Sequence, residues 1–390
     1  MFRRATCAAG HRGYAMITST VRLLKSAARR TGLTAWLRRS GLLQWLPVAA
    51  PKSTPSISQN AESPLSYESR LAAEQAHFAS NDNVHDLPAI FHYWSNSYLR
   101  PKLELFGFSN PDQFFAAYLD KTFVPGDLRS RRYISVGAGN CDTEIRLAKQ
   151  LVESGKDNFT IECVDINAEM LKRGAEMASR EGVGAQIITR RLDLNDWHSH
   201  REYDAVIANQ SLHHIVELEQ LFDTVLAALR EDGFFITSDM IGRNGHQRWP
   251  EALAIVHEFW RQLPERYHYN HQLKRIEHVM ENWDCSGVGF EGIRSQDILK
   301  LLLERFEFDL FIGYANVIDP FIDRSFGHNF DANSPQDRAF IDRVHACDEE
   351  QIAAGNITPT HLIAAMRLGS PGTCHRHVGL PPARCVRHVA

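Results

Sequence analysis

The side chains best placed for chemistry in this chain fall at the ends of short apolar runs. Val136-Gly137-Ala138-Gly139-Asn140-Cys141 follows one such run. Glycines there admit backbone angles that a Cβ forbids and let the main chain approach a ligand closely. The next apolar run ends in Cys163-Val164-Asp165-Ile166-Asn167, and a carboxylate in that place can accept two hydrogen bonds from a ribose diol. Arg191-Leu192-Asp193-Leu194-Asn195 supplies a further carboxylate, suited to an adenine amino group. Asn209-Gln210-Ser211-Leu212-His213-His214 adds two imidazoles, and Asp239 closes another apolar run. An imidazole titrates near neutrality, so His213 and His214, with Asp239, are the candidate acid–base groups. The bland readings are an ordinary strand–helix turn for the glycines, a helix cap for Asp165, a solvated turn for Asp193 and structural roles for both histidines.

The elements that position these residues are strands alternating with amphipathic helices. Tyr133–Val136 reads as strand one, Phe159–Val164 as strand two, Ala185–Thr189 as strand three, Tyr203–Ala208 as strand four and Phe234–Ser238 as strand five. The intervening helices carry apolar residues at helical spacing, as in Leu218, Leu221, Phe222, Val225, Leu226 and Leu229. Helices of that length between strands imply βαβ units and a parallel sheet. Phe308–Ile312 and His361–Met366 read as strands six and seven; no extra βαβ unit separates them, so the last strand is placed to enter antiparallel. Helical patterns precede the sheet over Tyr67–Leu119, and Asn110-Pro111-Asp112-Gln113 marks one helix start. The boundaries expected are a leader and linker over 1–66, a helical cap over 67–130, a catalytic domain over 131–368 with an aromatic-rich helical lid over 241–292, and a disordered tail over 369–390.

A ribose-holding acid serves nicotinamide dinucleotides and S-adenosylmethionine alike. The loop separates them. A dinucleotide fingerprint wants Gly-x-Gly-x-x-Gly, and Asp142 stands at its last position, which disfavours a nucleotide-dependent oxidoreductase.

In its sequence of Gly-x-Gly, acid after strand two, Asp after strand three and Leu212-His213-His214, the chain resembles the class I S-adenosylmethionine-dependent methyltransferases of small-molecule, Rossmann-like type. The resemblance is strong over Arg132–Asp239 and looser to Met366. It implies a seven-stranded, mostly parallel α/β sheet with a reversed last strand and helices on both faces. It implies S-adenosyl-L-methionine as cofactor, with Gly137, Ala138 and Gly139 along the methionine part, Asp165 and Ile166 at the ribose, Asp193 and Leu194 at the adenine, and Asn209 or Gln210 beside the sulfonium. The chain departs from the family at Ser135, where an acid is frequent, and at Cys141, where a third glycine is frequent. Ser135 is carried as a cofactor contact, with Asp142 or Glu144 as substitutes for the missing acid.

The rest of the chain bounds the setting. A net charge of -4 gives no global attraction for polyphosphate, so no nucleic-acid partner is expected. Seven dispersed cysteines suggest reduced thiols and a cytoplasmic location. Residues 1–61 hold ten Lys/Arg and no acid, which reads as a disordered extension (Met16 offers a second start), a mitochondrial targeting segment or a peripheral membrane contact. Aromatics at Phe91–Tyr98 and at Trp249, Trp260, Tyr267, Tyr269 and Trp283 are candidates for a substrate wall or for a satellite core. No metal ligand is assigned, the tail's Cys374, His375 and His377 included. The expected activity is methyl transfer to a small molecule, with a hydroxyl oxygen favoured; a non-catalytic cofactor-binding or scaffold protein on the same fold is the alternative.

Overall fold

The computed structural model describes residues 66–79, 87–199, 201–369 and 373–387. The basic leader and the linker as far as residue 65 lie outside the described residues.

Helices come first: α1 (Tyr67–Ala79), α2 (Ala89–Trp94, prolonged by a π turn at Ser95–Leu99 and an α turn at Arg100–Glu104) and α3 (Pro111–Asp120). The predicted start of α3 is built as its residue types dictate. Asn110 Oδ1 accepts from Gln113 N at 2.9 Å, and Gln113 Oε1 accepts in return from Ser109 N at 2.7 Å.

The sheet then forms from β1 (Arg131–Val136), β2 (Phe159–Asp165), β3 (Ile187–Arg191), β4 (Tyr203–Asn209) and β5 (Leu229–Met240), with α4 (Asp142–Glu153), α5 (Ala168–Arg180) and α6 (Leu218–Ala228) as crossovers. After β5 come α7 (Pro250–Trp260), a small hairpin of β6 (Tyr269–Asn270) and β7 (Arg275–Ile276), α8 (Ser295–Arg305), β8 (Glu307–Tyr314), α9 (Asp319–Ile322), α10 (Pro335–Ala354), β9 (His361–Arg367) and β10 (His375–Arg376). The strand order is β10-β8-β9-β5-β4-β1-β2-β3. β9 runs antiparallel to both β5 and β8, and the other pairs are parallel. The reversed strand expected at His361–Met366 is therefore present as β9.

Three expectations change. The sheet has eight strands, because β10 in the tail pairs with β8 through His375 and Arg376. The described part of the tail is packed: Cys385 is buried and Arg387 Nε donates to Glu251 Oε1 at 2.8 Å. Its composition hid this, since a two-residue strand and 3-10 turns leave no periodic trace. β5 starts at Leu229 rather than Phe234, because Leu229 is buried and pairs with Tyr203 across a register shift.

Alternate residues of each strand enter opposite cores, as a pleated strand requires. Tyr133, Ile161, Cys163, Ala205 and Ile207 join Phe114, Phe115, Leu147 and Leu171 on one face. Ile134, Val136, Val164, Val206 and Ala208 join Leu221, Phe222 and Leu302 on the other. Helices thus cover both faces, and the edge at the carboxyl ends of the strands is left to loops.

Candidate active site at the carboxyl edge of the sheet

β1 has β2 on one side and β4 on the other, so the chain's winding reverses between β1 and β4. Such a switch point opens a crevice at the carboxyl ends of the strands. The turn after β1 enters it. Gly137 N and Ala138 N both donate to Val164 O, at 2.9 and 3.0 Å, folding the turn back over β2. Gly137 has φ +71, and a Cβ on it would lie 2.5 Å from Ser211 Cβ. Its missing side chain therefore makes room for the turn after β4, and not only for a ligand. Gly139 has φ +52, with Met170 Cε 3.0 Å from where a Cβ would be. Beside them, buried Ser211 Oγ has no hydrogen-bond partner among the described residues.

Asp165 is fixed by main chain: Gly139 N donates to Oδ2 at 2.9 Å and Asn167 N to Oδ1 at 2.8 Å. Burial pushes its carboxyl up, against those amides. Each oxygen keeps a further lone pair, which is what a ribose diol needs. The helix-capping role belongs to Asn167, whose Oδ1 accepts from Glu169 N and Met170 N. Asp193 both holds a turn, accepting from Asn195 N at 2.9 Å, and accepts from the Tyr67 hydroxyl at 2.6 Å. α1 thus reaches the Asp193 carboxylate. Ile166 O accepts from Arg191 Nε, Leu194 is buried, Asn209 Nδ2 donates to Thr143 Oγ1, and Gln210 adopts φ +53 with its N–H on Ser238 O.

Ser135 faces Glu144. Its hydroxyl donates to Glu144 Oε1 at 2.6 Å, and both residues are buried. Glu144 brings to this position the carboxyl that strand one lacks, and burial pushes it up to about 6.

The turns after β4 and β5 bring His213 and Asp239 together, with His213 Nδ1 2.6 Å from Asp239 Oδ1. Asp239, wholly buried, also accepts from Ser211 N, Leu212 N and Met240 N. Burial alone would depress the His213 imidazole, but the Asp239 carboxylate outweighs it and raises the group to about 10. A histidine so held is protonated at neutral pH. The Asp239 carboxylate thus favours the protonated imidazole and fixes the ring's orientation. His214 turns elsewhere: its Nδ1 lies 2.7 Å from Glu74 Oε1 on α1.

Two residues that the sequence did not mark complete the cluster. Glu291 Oε1 is 2.6 Å from His246 Nε2 and 3.5 Å from His213 Nε2, and its Oε2 is 3.6 Å from His214 Nε2. These histidines hold the Glu291 carboxyl well below its usual range despite burial. Burial lowers His246. The available signals were Asn244-Gly245, a turn dipeptide, and Gly292. Gly245 N donates to Gly292 O at 2.9 Å, and a Cβ on Gly292 would crowd Gly245 N and His246 Cε1. The two glycines let the strands of loop meet, and so bring His246 to Glu291.

The aromatic segments serve mainly as core. Tyr93 and Tyr98 both donate to Asp342 of α10, at 2.8 and 2.7 Å. Trp260 is buried and stacks on His268 at 4.6 Å. Trp283 is half exposed.

Residues 134–235 match the family model described as a methyltransferase domain. No curated protein matches the chain. Among solved structures, the chain is similar to a putative sarcosine dimethylglycine methyltransferase from Galdieria sulphuraria (15% identity, 66% of this chain and 85% of that one, TM-score 0.38). It is also similar to a geranyl diphosphate methyltransferase in complex with S-adenosylmethionine (13% identity, 66% and 84%, TM-score 0.36). The matched segment runs from β1 into β5 and contains the glycine turn, both carboxylates and both adjacent histidines. The family-model match thus falls on a methyltransferase-domain segment of residues 134–235, set in a Rossmann-like sheet. No helix of the described residues is long and apolar enough to cross a membrane.

Proposed function

We propose that the protein methylates a hydroxyl oxygen of a small molecule. The observation that carries this is the buried cluster of imidazoles and carboxylates one turn from the glycine loop. Bound S-adenosylmethionine supplies a methyl group already activated on sulfur, so the protein's main work is alignment. Asp165, held by two backbone amides, and Asp193 fix the adenosine end. Glu144 and the turn at Gly137–Gly139 face the amino-acid end, and the φ +53 turn at Gln210 shapes the wall between them. An oxygen acceptor must also lose a proton. His213, protonated and gripped by Asp239, orients the Glu291 carboxylate, which in turn orients His246, and the hydroxyl proton passes to the His246 imidazole. A carbon or amine acceptor that is already nucleophilic has no use for such a set.

The net charge and the absence of a basic groove reading in the sequence support a small-molecule partner over nucleic acid, and the free thiols among the described residues support a reducing, cytoplasmic setting. Peripheral membrane contact through the basic residues 1–61 is tested by binding of the full chain to anionic vesicles.

The test is incubation of the full chain with methyl-labelled cofactor and fractionated metabolite extract, followed by identification of labelled products. An O-methylated small molecule is expected. Asp165→Asn is expected to weaken cofactor binding by about ten- to a hundredfold, the worth of hydrogen bonds to a charged group, read by calorimetry. Cofactor binding with no labelled product from any extract overturns the enzymatic reading in favour of a sensor or scaffold.

A further inference from the structure

We propose that His213, His246 and Glu291 form a binding site for a divalent transition-metal ion, zinc being the best match to the donor set. His213 Nε2, His246 Nε2 and a Glu291 oxygen lie within 4.8 Å of one another, and no other such group occurs among the described residues. Ligands about 2 Å from a tetrahedral ion stand about 3.3 Å apart. Glu291 already meets this with His246 at 2.6 Å and His213 at 3.5 Å, so the site closes with a shift of about an ångström.

The surroundings are those of a ligand set rather than of a chance cluster. His213 Nδ1 faces Asp239, which aims Nε2 at the site, and Asp239 is itself fixed by three backbone amides. A carboxylate behind a ligating histidine, fixing its tautomer and raising its basicity, is the usual outer arrangement of metal sites. His246 is held with φ +55, a conformation that costs a non-glycine residue energy and persists only where the surroundings enforce it. Gly245 and Gly292 enforce it. The charge also fits. Asp239, Glu291 and Glu74 bring three carboxylates into one mostly buried region that contains three histidines and no lysine or arginine in contact with them in the described structure. A divalent cation compensates them as protons on the imidazoles otherwise do, so binding it releases protons.

Two histidines and one carboxylate leave a fourth position for water or another oxygen ligand. On the methyl-transfer reading above, on which this part rests, that ligand is the acceptor hydroxyl, which a bound cation makes more acidic. Holding the ion is then the role of the His246–Glu291 pair.

The experiment uses the full chain, depleted of metal by chelator and shown folded by circular dichroism. It is titrated calorimetrically with Zn²⁺ and followed in the visible with Co²⁺, whose absorption reports coordination; S-adenosylmethionine is titrated separately. One equivalent of Zn²⁺ and a saturable Co²⁺ band are expected. His246→Ala and Glu291→Gln, each removing a ligand, should weaken binding by more than the roughly hundredfold that loss of an outer-shell partner costs, and His375→Ala in the tail should leave it unchanged. Absence of a saturable Co²⁺ band in the folded wild-type chain overturns the proposal even if neither variant folds. So does one-equivalent binding that survives both substitutions. Metal binding without S-adenosylmethionine binding sinks the methyltransferase reading and leaves the ion site standing; the reverse result does the opposite.

Discussion

The two edges of the sheet hold similar kinds of charge and use them differently. At the amino edge Arg129 donates to Asp127 and Asp204, both at 2.7 Å, and to Asp232 at 3.3 Å, while Arg230 donates to Glu202 at 2.7 Å. Arg129, Glu202, Arg230 and Asp232, with Glu231, line a groove of about 260 Å³. At the carboxyl edge the acids Asp239, Glu291 and Glu74 meet histidines instead. A guanidinium is always charged and offers only donors, so the amino edge is fixed. An imidazole exchanges its proton near neutrality and offers a lone pair once it has done so. The same electrostatic need is met in one place by a lock and in the other by a replaceable part.

The contrast breaks most directly at its two anchors. Asp239→Ala removes the acceptor of three buried amides and leaves His213 without its partner, which should cost about 3–5 kcal/mol of stability. Arg129→Ala should cost about 1 kcal/mol, since the guanidinium is 30% exposed and solvent screens its pairs. Denaturant unfolding of the two variants, with cofactor titration of Arg129→Ala, checks both. Equal losses, or lost cofactor binding in Arg129→Ala, would erase the distinction between the edges.

A smaller effect sharpens the role of Glu144. Its carboxyl, raised to about 6 by burial, is ionised in the folded chain only above that pH. The sign follows: this group's contribution to stability is fully present below about 4.5, and about 2 kcal/mol of it is lost as pH rises to 6. If Glu144 faces the cofactor's ammonium, as the missing acid at Ser135 suggests, binding favours the ionised form. Cofactor affinity should then rise by about tenfold between pH 5 and 7, and Glu144→Gln should flatten that rise. Calorimetry across this range reads it, and an unaltered profile in the variant removes Glu144 from the site.

Much of this edge was legible because it rests on local rules. Apolar runs, a turn that needs glycine and an acid one residue past a strand each leave a trace within a few positions. The His246–Glu291 contact does not. It joins residues 45 apart through two glycine turns in a segment whose aromatics drew attention to themselves. Trp260 in that segment is core because its ring is buried and stacks on His268, and Tyr93 and Tyr98, far before it in the chain, are tied inward by Asp342, which no spacing reveals. Glu144 shows the intermediate case. The need for an acid was visible at Ser135, and the sequence offered Asp142 or Glu144 in its place, but only the fold brings Glu144 within 2.6 Å of Ser135. The eighth strand was hidden for the opposite reason, being too short to carry any pattern.

The smallest effect concerns α1. Tyr67 donates its hydroxyl to Asp193 Oδ2, packs its ring 5.3 Å from Phe290, and lies on the helix whose Glu74 faces His214. Asp193 therefore has an occupant where an adenine amino group is expected. If that hydroxyl competes, Tyr67→Phe releases a lone pair and should tighten cofactor binding by about fivefold, or about 1 kcal/mol. If instead the hydroxyl only orients Asp193 while the ring walls the adenine, the same substitution should weaken binding by a similar factor. The sign, read by calorimetry, decides whether α1 must move before cofactor enters. Arg70, whose guanidinium donates to Ser286 O at 2.5 Å and Gly289 O at 2.7 Å, supplies the independent check. Arg70→Ala loosens the same helix without touching Asp193, so it should speed cofactor association if α1 is a gate and leave the rate unchanged if it is a wall.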